Sequence, residues 1–230
     1  MKSEVRIAMV GSGFMGRAHS NGLRQVDTFF DLPVRVVRKV LVARNSETGG
    51  RLAAAFGWQE LEQDWRSVVD IVTPGLTHAE IAIEAMKAGK AVICEKPMAN
   101  TLAEARSMAA EAESAGVLTM CNYNLRSTPA ISLAHKMILD GRLGRIHQWR
   151  AAFQQGWLVN KEFPLTWRLQ KNKAGSGALG DLGSHSIDLA RMLVGEIQSV
   201  NGLMHTFTRQ RPIPVRDEGR YSKPSGKYGE

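Results

Sequence analysis

The chain of 230 residues carries 30 Lys and Arg against 22 Asp and Glu, a formal net charge of +8, and 43% of it is hydrophobic. That apolar content suffices for a large buried core in one or two domains and excludes a disordered, repetitive or fibrous chain. The basic residues stand mostly singly with no aromatic-interleaved stripe, which argues against nucleic acid as a partner. No run is long enough to span a membrane and no signal-like segment precedes the first apolar run, so the expectation is a cytoplasmic protein.

Residues 5–10 form an apolar run with one charge, Arg6, the pattern of a strand buried on both faces of a parallel sheet. The run ends in Gly11, Gly13 and Gly16, followed by helix-forming residues without proline. Gly11 permits the tight turn, Gly13 has no Cβ to hold a pyrophosphate away, and Gly16 lets the helix pack close to the strand. The helix N-terminus, at Phe14 and Met15, offers N–H groups and partial positive charge to phosphates. Strand before and helix after make this a dinucleotide-binding prediction.

A loop over 27–33 leads to a second strand, 34–43. Its tip reads Ala43, Arg44, Asn45, Ser46, where a Rossmann site normally places a carboxylate for the ribose hydroxyls. A guanidinium pairs instead with a 2′-phosphate, so Arg44, with Asn45 beside it, tilts an NAD(P) site toward NADP. Helices are predicted over 46–56 and 61–69, the second with Trp65 on its apolar side. A strand over 70–74 follows with no connecting loop, an unusually tight or shortened junction.

Capping boxes at Thr77/Glu80 and Thr101/Glu104 open helices that run to residues 88 and 115. Between them, 91–97 reads as a strand with the charged tip Glu95-Lys96-Pro97; 118–122 is the next strand and 129–139 the next helix. This alternation makes a doubly wound parallel sheet whose strand ends gather at the edge holding the glycine turn. Thr73, Pro74, His78, Glu95, Lys96 and residues 122–126 are therefore expected around a nicotinamide. Cys94 and Cys121 fall in strands, lack metal-ligand spacing and read as buried reduced thiols.

From Gly144 the texture changes: 145–155 and 197–208 read as longer strands, 175–194 as a glycine loop plus helix, and 210–230 as a Pro- and Gly-rich loop. The division expected is a dinucleotide-binding domain over 1–125 and a partial α+β domain over 126–230. Chemistry centres on Lys96, at a strand tip where partial burial lets a lysine exchange protons with a hydroxyl. It also centres on Asp181, His185 and Asp188, whose spacing puts a carboxylate, an imidazole and a second carboxylate on one helix face. By spacing alone Asp181 also reads as a helix cap and His185 as a buried, satisfied histidine. Zinc is disfavoured for want of further ligands, and no metal is expected.

GSGFMGRAHS, CEKPMANTLAEA and GSGALGDLGSHSIDLARMLVGEI, in this order and at these separations, resemble the Gfo/Idh/MocA family of NAD(P)-dependent sugar and polyol dehydrogenases over nearly the whole chain. The resemblance implies a catalytic group of Lys96, Asp181 and His185. His185 would take the proton of a substrate hydroxyl, Lys96 would stabilise the alkoxide, and Asp181 would hold His185 in register. Arg126 and Asp188 would bind sugar hydroxyls or support the site, and Trp157, Trp167 and Arg168 would line it, with core packing the other reading of both tryptophans. The fold implied is an N-terminal Rossmann sheet followed by an incomplete α+β substrate domain with an open, mostly antiparallel sheet. That sheet usually forms the subunit interface, which implies a homo-oligomer, dimer or tetramer, if it is complete. Three departures stand out: the missing carboxylate at the strand tip, the short approach to residue 70, and a length below that of the family's members. The same fold also serves regulators that sense a dinucleotide without turning it over, but these would be expected to lose the Lys, Asp and His set.

Overall fold

The first strand, β1 (Ser3–Val10), alternates strictly in its inner half. Ala8 and Val10 face one layer of the core and Met9 the other. In the computed structural model, which describes residues 2–63, 70–215 and 222–229, the chain divides into two units, Met1–Asn122 and Tyr123–Glu230. The first continues through α1 (Phe14–Phe29), β2 (Val34–Val42), α2 (Ser46–Phe56), β3 (Glu60–Glu62) and β4 (Asp70–Ile71). It ends with α3 (His78–Lys87), β5 (Val92–Glu95), α4 (Leu102–Ala115) and β6 (Thr119–Asn122). The strands form one sheet of order β3-β2-β1-β4-β5-β6, every pair parallel. This is the doubly wound arrangement, and its order reverses between β1 and β4, where a crevice opens at the carboxyl ends of the strands.

Two apolar layers cover the sheet. Met9, Leu41, Leu52, Ala53, Trp58 and Val72 pack with Met15 and Leu23 of α1 on one face. Ala8, Val10, Val42, Ile71, Ala82, Met86 and Met108 pack on the other, against α3 and α4. Trp58 donates its indole N–H to the buried Ser20 hydroxyl at 3.0 Å, so the most polar atom of the first layer is satisfied. The α4 capping box forms as expected: Thr101 accepts from the Glu104 N–H, and Glu104 accepts from the Thr101 N–H at 2.9 Å.

Several expectations are corrected in this unit. The outer half of β1 is exposed, Val5 included. Thr77 caps no helix. Its hydroxyl lies 2.7 Å from Thr73 Oγ1 and 2.9 Å from the Pro74 carbonyl, and a 3-10 turn, Gly75–Thr77, precedes α3. Residues 60–62, expected to open a helix from Leu61, instead pair with β2 as an edge strand, where three exposed positions leave no periodic signal to read. Residues 64–69 of that predicted helix, Trp65 included, lie outside the described residues, and the strand expected over 70–74 is reduced to Asp70–Ile71.

The second unit holds a 3-10 turn (Asn124–Ser127), α5 (Pro129–Leu139), a 3-10 turn (Trp167–Leu169), α6 (Lys171–Ala174), a π-turn (Leu179–Gly183) and α7 (Ser184–Leu193). A two-stranded antiparallel sheet of β7 (Arg211–Pro214) and β8 (Pro224–Gly229) closes it. Part of the terminal segment expected as loop is therefore sheet. It is anchored by Arg211, whose guanidinium donates to the carbonyls of Leu158, Asn160 and Phe163 at 2.8, 2.9 and 3.2 Å. Conversely, 145–155 and 197–208 are not strands among the described residues. A strand needs a ladder partner, and 197–208 instead exposes Val200, Leu203, Met204 and Phe207 almost fully. No helix among the described residues is long and apolar enough to cross a membrane.

Candidate functional site

The glycine turn between β1 and α1 behaves at each position as its spacing requires. Gly11 sits at φ +122° and donates its N–H to the Val42 carbonyl at 3.0 Å; a Cβ there would lie 3.0 Å from Val72. A Cβ on Gly16 would stand 2.2 Å from the Gly11 carbonyl oxygen, so α1 can approach the turn this closely only without a side chain. Around Gly13 the opposite holds: a Cβ would meet nothing within 4 Å, and the space above the backbone is open. With Gly13 as N-cap, no acidic residue in the first turn and Phe14 exposed, α1 presents its N–H groups to that space. These residues fit a pyrophosphate.

At the tip of β2, Ala43 is buried and Arg44 exposed. Asn45 caps α2, its side-chain oxygen accepting from the Thr48 N–H at 2.9 Å, so it also fixes the loop that carries Arg44. After β4, Thr73 and Pro74 form the loop facing the same sheet edge. His78 is 1% exposed and lies with one ring nitrogen 2.9 Å from the Thr73 carbonyl and the other 3.0 Å from that of Pro97. His78, expected beside the cofactor, joins the Thr73 loop to the turn after Lys96.

Glu95 ends β5 and is 6% exposed. Its Oε1 accepts from Asn122 at 2.7 Å and faces His19 Nε2 at 3.1 Å; its Oε2 accepts the backbone N–H of Lys96 at 3.2 Å. The other ring nitrogen of His19 faces Asp70 Oδ2 at 3.1 Å, and Asp70 is 4% exposed. Nε2 also lies 3.2 Å from the Asn122 amide nitrogen, and donation from both ring nitrogens, one to each carboxylate, requires the imidazolium form. Burial opposes that charge, but the hydrogen bonds His19 donates to Asp70 and then to Glu95 outweigh it and raise its pKa from 6.5 to about 9. For Glu95, burial favours the neutral acid, yet the bonds from His19 and Asn122 hold it below the usual carboxylate range. Lys96 follows directly, half-buried, with a cis peptide to Pro97. Reading the sequence position by position missed His19 and Asp70. Their signal was a polar residue at a helix or strand position otherwise reserved for apolar contact.

In the second unit, His185 opens α7 and is buried between two aromatic edges, Tyr123 at 5.9 Å and Phe153 at 5.7 Å between ring centroids. Asp181 precedes it in the π-turn that ends at Gly183, so the two are separated by a change of helix type rather than lying on one regular helix; such insertions recur where a helix must aim side chains at a site. The N-cap position of α7 is Gly183 and has no side-chain cap, so the alternative role of Asp181 as that cap is not realised. Asp188 is buried and takes the Arg126 guanidinium in a two-point bond, Nε to Oδ2 at 2.8 Å and Nη2 to Oδ1 at 2.5 Å. The two residues expected to bind sugar hydroxyls are thus each other's partners.

A small cavity of about 40 Å³ joins Trp157 and Arg168 to Asp181, with Gln155 and Leu182 in its wall. Trp157 is held in it by donating to Gln155 Oε1 at 2.6 Å and by the edge of Phe163, 5.0 Å away. Arg168 lies over the Trp167 ring at 4.4 Å, a cation–π stack. No group of three or more His, Cys, Asp or Glu among the described residues is placed to hold a metal ion.

Residues 5–123 match the family model described as "Oxidoreductase family, NAD-binding Rossmann fold", and residues 131–221 match the "GFO/IDH/MocA C-terminal domain". The chain belongs to the Gfo/Idh/MocA family. Among Gfo/Idh/MocA relatives, levoglucosan dehydrogenase of Pseudarthrobacter phenanthrenivorans is 43% identical over 218 residues, which are 91% of this chain and 56% of the relative. D-apiose dehydrogenase of Paraburkholderia graminis is 33% identical over 83% of this chain and 50% of its own length. A solved levoglucosan dehydrogenase, in complex with NADH and levoglucosan, superimposes with a TM-score of 0.88 at 41% identity, covering 92% of this chain and 60% of that one. An oxidoreductase domain protein from Kribbella flavida gives 0.89 at 44% identity, over 97% and 61%. The chain therefore spans between half and about three fifths of the length of the Gfo/Idh/MocA proteins it matches.

Proposed function

We propose that this chain belongs to a cytoplasmic dehydrogenase that moves a hydride between NAD(P) and a secondary hydroxyl, or the matching ketone, of a sugar or polyol. The observation that carries this reading is the glycine turn, where Gly16 and Gly11 leave no room for a Cβ and Gly13 leaves the space open, on the same parallel sheet as β5, which lies just beyond the intervening β4 and ends in Glu95 just before Lys96. A bound nicotinamide supplies the hydride acceptor. The chain would hold it with Gly11, Gly13, Phe14, Met15 and Gly16 at the pyrophosphate, Arg44 and Asn45 at the ribose, and Thr73 and Pro74 at the nicotinamide end, with Lys96 beside the reacting carbon rather than carrying the affinity.

His185 takes the hydroxyl proton as the carbon loses its hydride, Lys96 stabilises the oxygen on which negative charge develops, and Asp181 orients His185. The paired Arg126 and Asp188 hold the loop after β6 against α7, and Trp157, Trp167 and Arg168 present aromatic and guanidinium surface to the sugar. The names of the relatives support a sugar as the substrate class, levoglucosan among them. The buried, unpaired thiol of Cys94 supports a reducing compartment. Arg44 supports a leaning to NADP, while relatives solved with NADH make NAD the other outcome.

The experiment is a carbohydrate panel, beginning with levoglucosan, mixed with NAD or NADP while the absorbance of reduced nicotinamide is followed. Lys96→Ala and His185→Ala are expected to keep dinucleotide affinity near wild type and to lower turnover about a hundredfold or more, since both act on the hydroxyl. Loss of dinucleotide binding in both variants refutes their assignment. Tight binding without turnover on any sugar identifies a dinucleotide-sensing protein instead.

A further inference from the structure

The His19 cluster is assembled from four elements of the first unit: α1, β4, β5 and β6 contribute His19, Asp70, Glu95 and Asn122. Three of the four sit at strand positions that share one face, since Met9 registers with Asp70, Asp70 with Ile93, and Glu95 with Asn122. That is the face covered by α1, as Met9 and Val72 show by packing against its Met15 and Leu23. The cluster therefore lies beneath the helix whose N-terminus forms the phosphate turn and touches, through Glu95 Oε2, the backbone of the residue assigned to the chemistry.

Electrostatics make His19 the member on which the others depend. Asp70 and Glu95 are two nearly buried carboxylates, and one Asp70 oxygen has no hydrogen-bond partner among the described residues. His19 is placed between them, and without its charge the two carboxylates would repel each other in a site shielded from water. Asn122 secures one oxygen of Glu95 but is neutral.

We propose that His19 is a positioning residue: its two ring N–H groups tie Asp70 to Glu95 so that Glu95 keeps hold of the Lys96 backbone N–H, which fixes the lysine for hydride transfer. This rests on the dehydrogenase reading above. His19 couples the helix that holds phosphate to the turn that carries the ammonium, and Glu95 is the link.

The test uses the full chain with His19→Gln, His19→Asn and Glu95→Gln. Glutamine keeps a donor where Nε2 meets Glu95, whereas asparagine keeps one only where Nδ1 meets Asp70. Backbone amide exchange of Lys96, read by NMR, is expected to quicken about tenfold or more in His19→Asn and Glu95→Gln and less in His19→Gln. In the sugar assay kcat should follow the same order while KM for the dinucleotide stays within about twofold of wild type. A residue that merely fills space predicts equal effects of Gln and Asn, and that equality overturns the proposal. So does an unchanged Lys96 amide in Glu95→Gln. If the wild-type chain turns over no sugar, the dehydrogenase reading fails, and the amide measurement still decides whether His19 holds Lys96 through Glu95.

Discussion

His19 shows how much one residue can carry. Its pKa rises from 6.5 unfolded to about 9 folded, so its contribution to stability is complete below pH 6.5 and vanishes as pH climbs through 9. Glu95 works in the other direction: held below 4.5, it stabilises above that pH and ceases to as the medium becomes more acid. The cluster is thus most stabilising between pH 4.5 and 6.5, with a His19 contribution on the order of 3 kcal/mol from a shift of this size. Urea midpoints of wild type and His19→Gln should lie furthest apart in that window and converge above pH 9. A gap that stays constant with pH would contradict a charged His19. Arg44 is the matching case at the surface. Arg44→Ala should weaken NADPH about tenfold while leaving NADH within about twofold, read by quenching of protein fluorescence. Equal losses would remove the guanidinium from the choice of cofactor.

Among the elements, the turn from β1 into α1 separates folding from binding within six residues. Gly16→Ala drives a Cβ to 2.2 Å from a backbone oxygen, which only a shift of helix against strand can relieve. A loss of about 2–3 kcal/mol is expected from such overpacking, measured by denaturant unfolding. Gly13→Ala meets open space at φ −77°, so stability should hold while dinucleotide affinity falls, by calorimetric titration. Stability changes of similar size in the two variants would refute this division. The elements also show where local pattern misleads. Thr77 and Glu80 have the spacing of a capping box, yet the Thr77 hydroxyl is engaged by the Thr73 loop before it can cap α3. The three residues of β3 are all exposed, and only the ladder to β2 makes them a strand.

At the scale of the molecule, the 197–208 stretch leaves Val200, Leu203, Met204 and Phe207 in solvent, Leu203 at 102% and Phe207 at 91% relative exposure. Apolar side chains so placed favour burial at roughly 25 cal/mol per Å², and the homo-oligomer that the family resemblance implies would supply it. Sedimentation velocity should show association that strengthens with concentration and weakens in Leu203→Asp. A monomer at every concentration would count against it.

The sequence by itself determined the Rossmann unit, because its signals are local. A glycine spacing, a helix cap and a period-two apolar strand each act over a few residues, and Gly11, Gly13, Gly16 and the Thr101 box stand as their spacing demanded. The order of motifs also carried the family. Only the tertiary structure decided how polar residues combine. His19 lies 51 residues from Asp70 and 76 from Glu95, and Arg126 lies 62 from Asp188. No periodicity spans such distances. Likewise, whether an apolar run becomes a strand depends on a hydrogen-bonding neighbour, and that neighbour is chosen by the fold: 60–62 found one in β2, and 211–214 found one in 224–229.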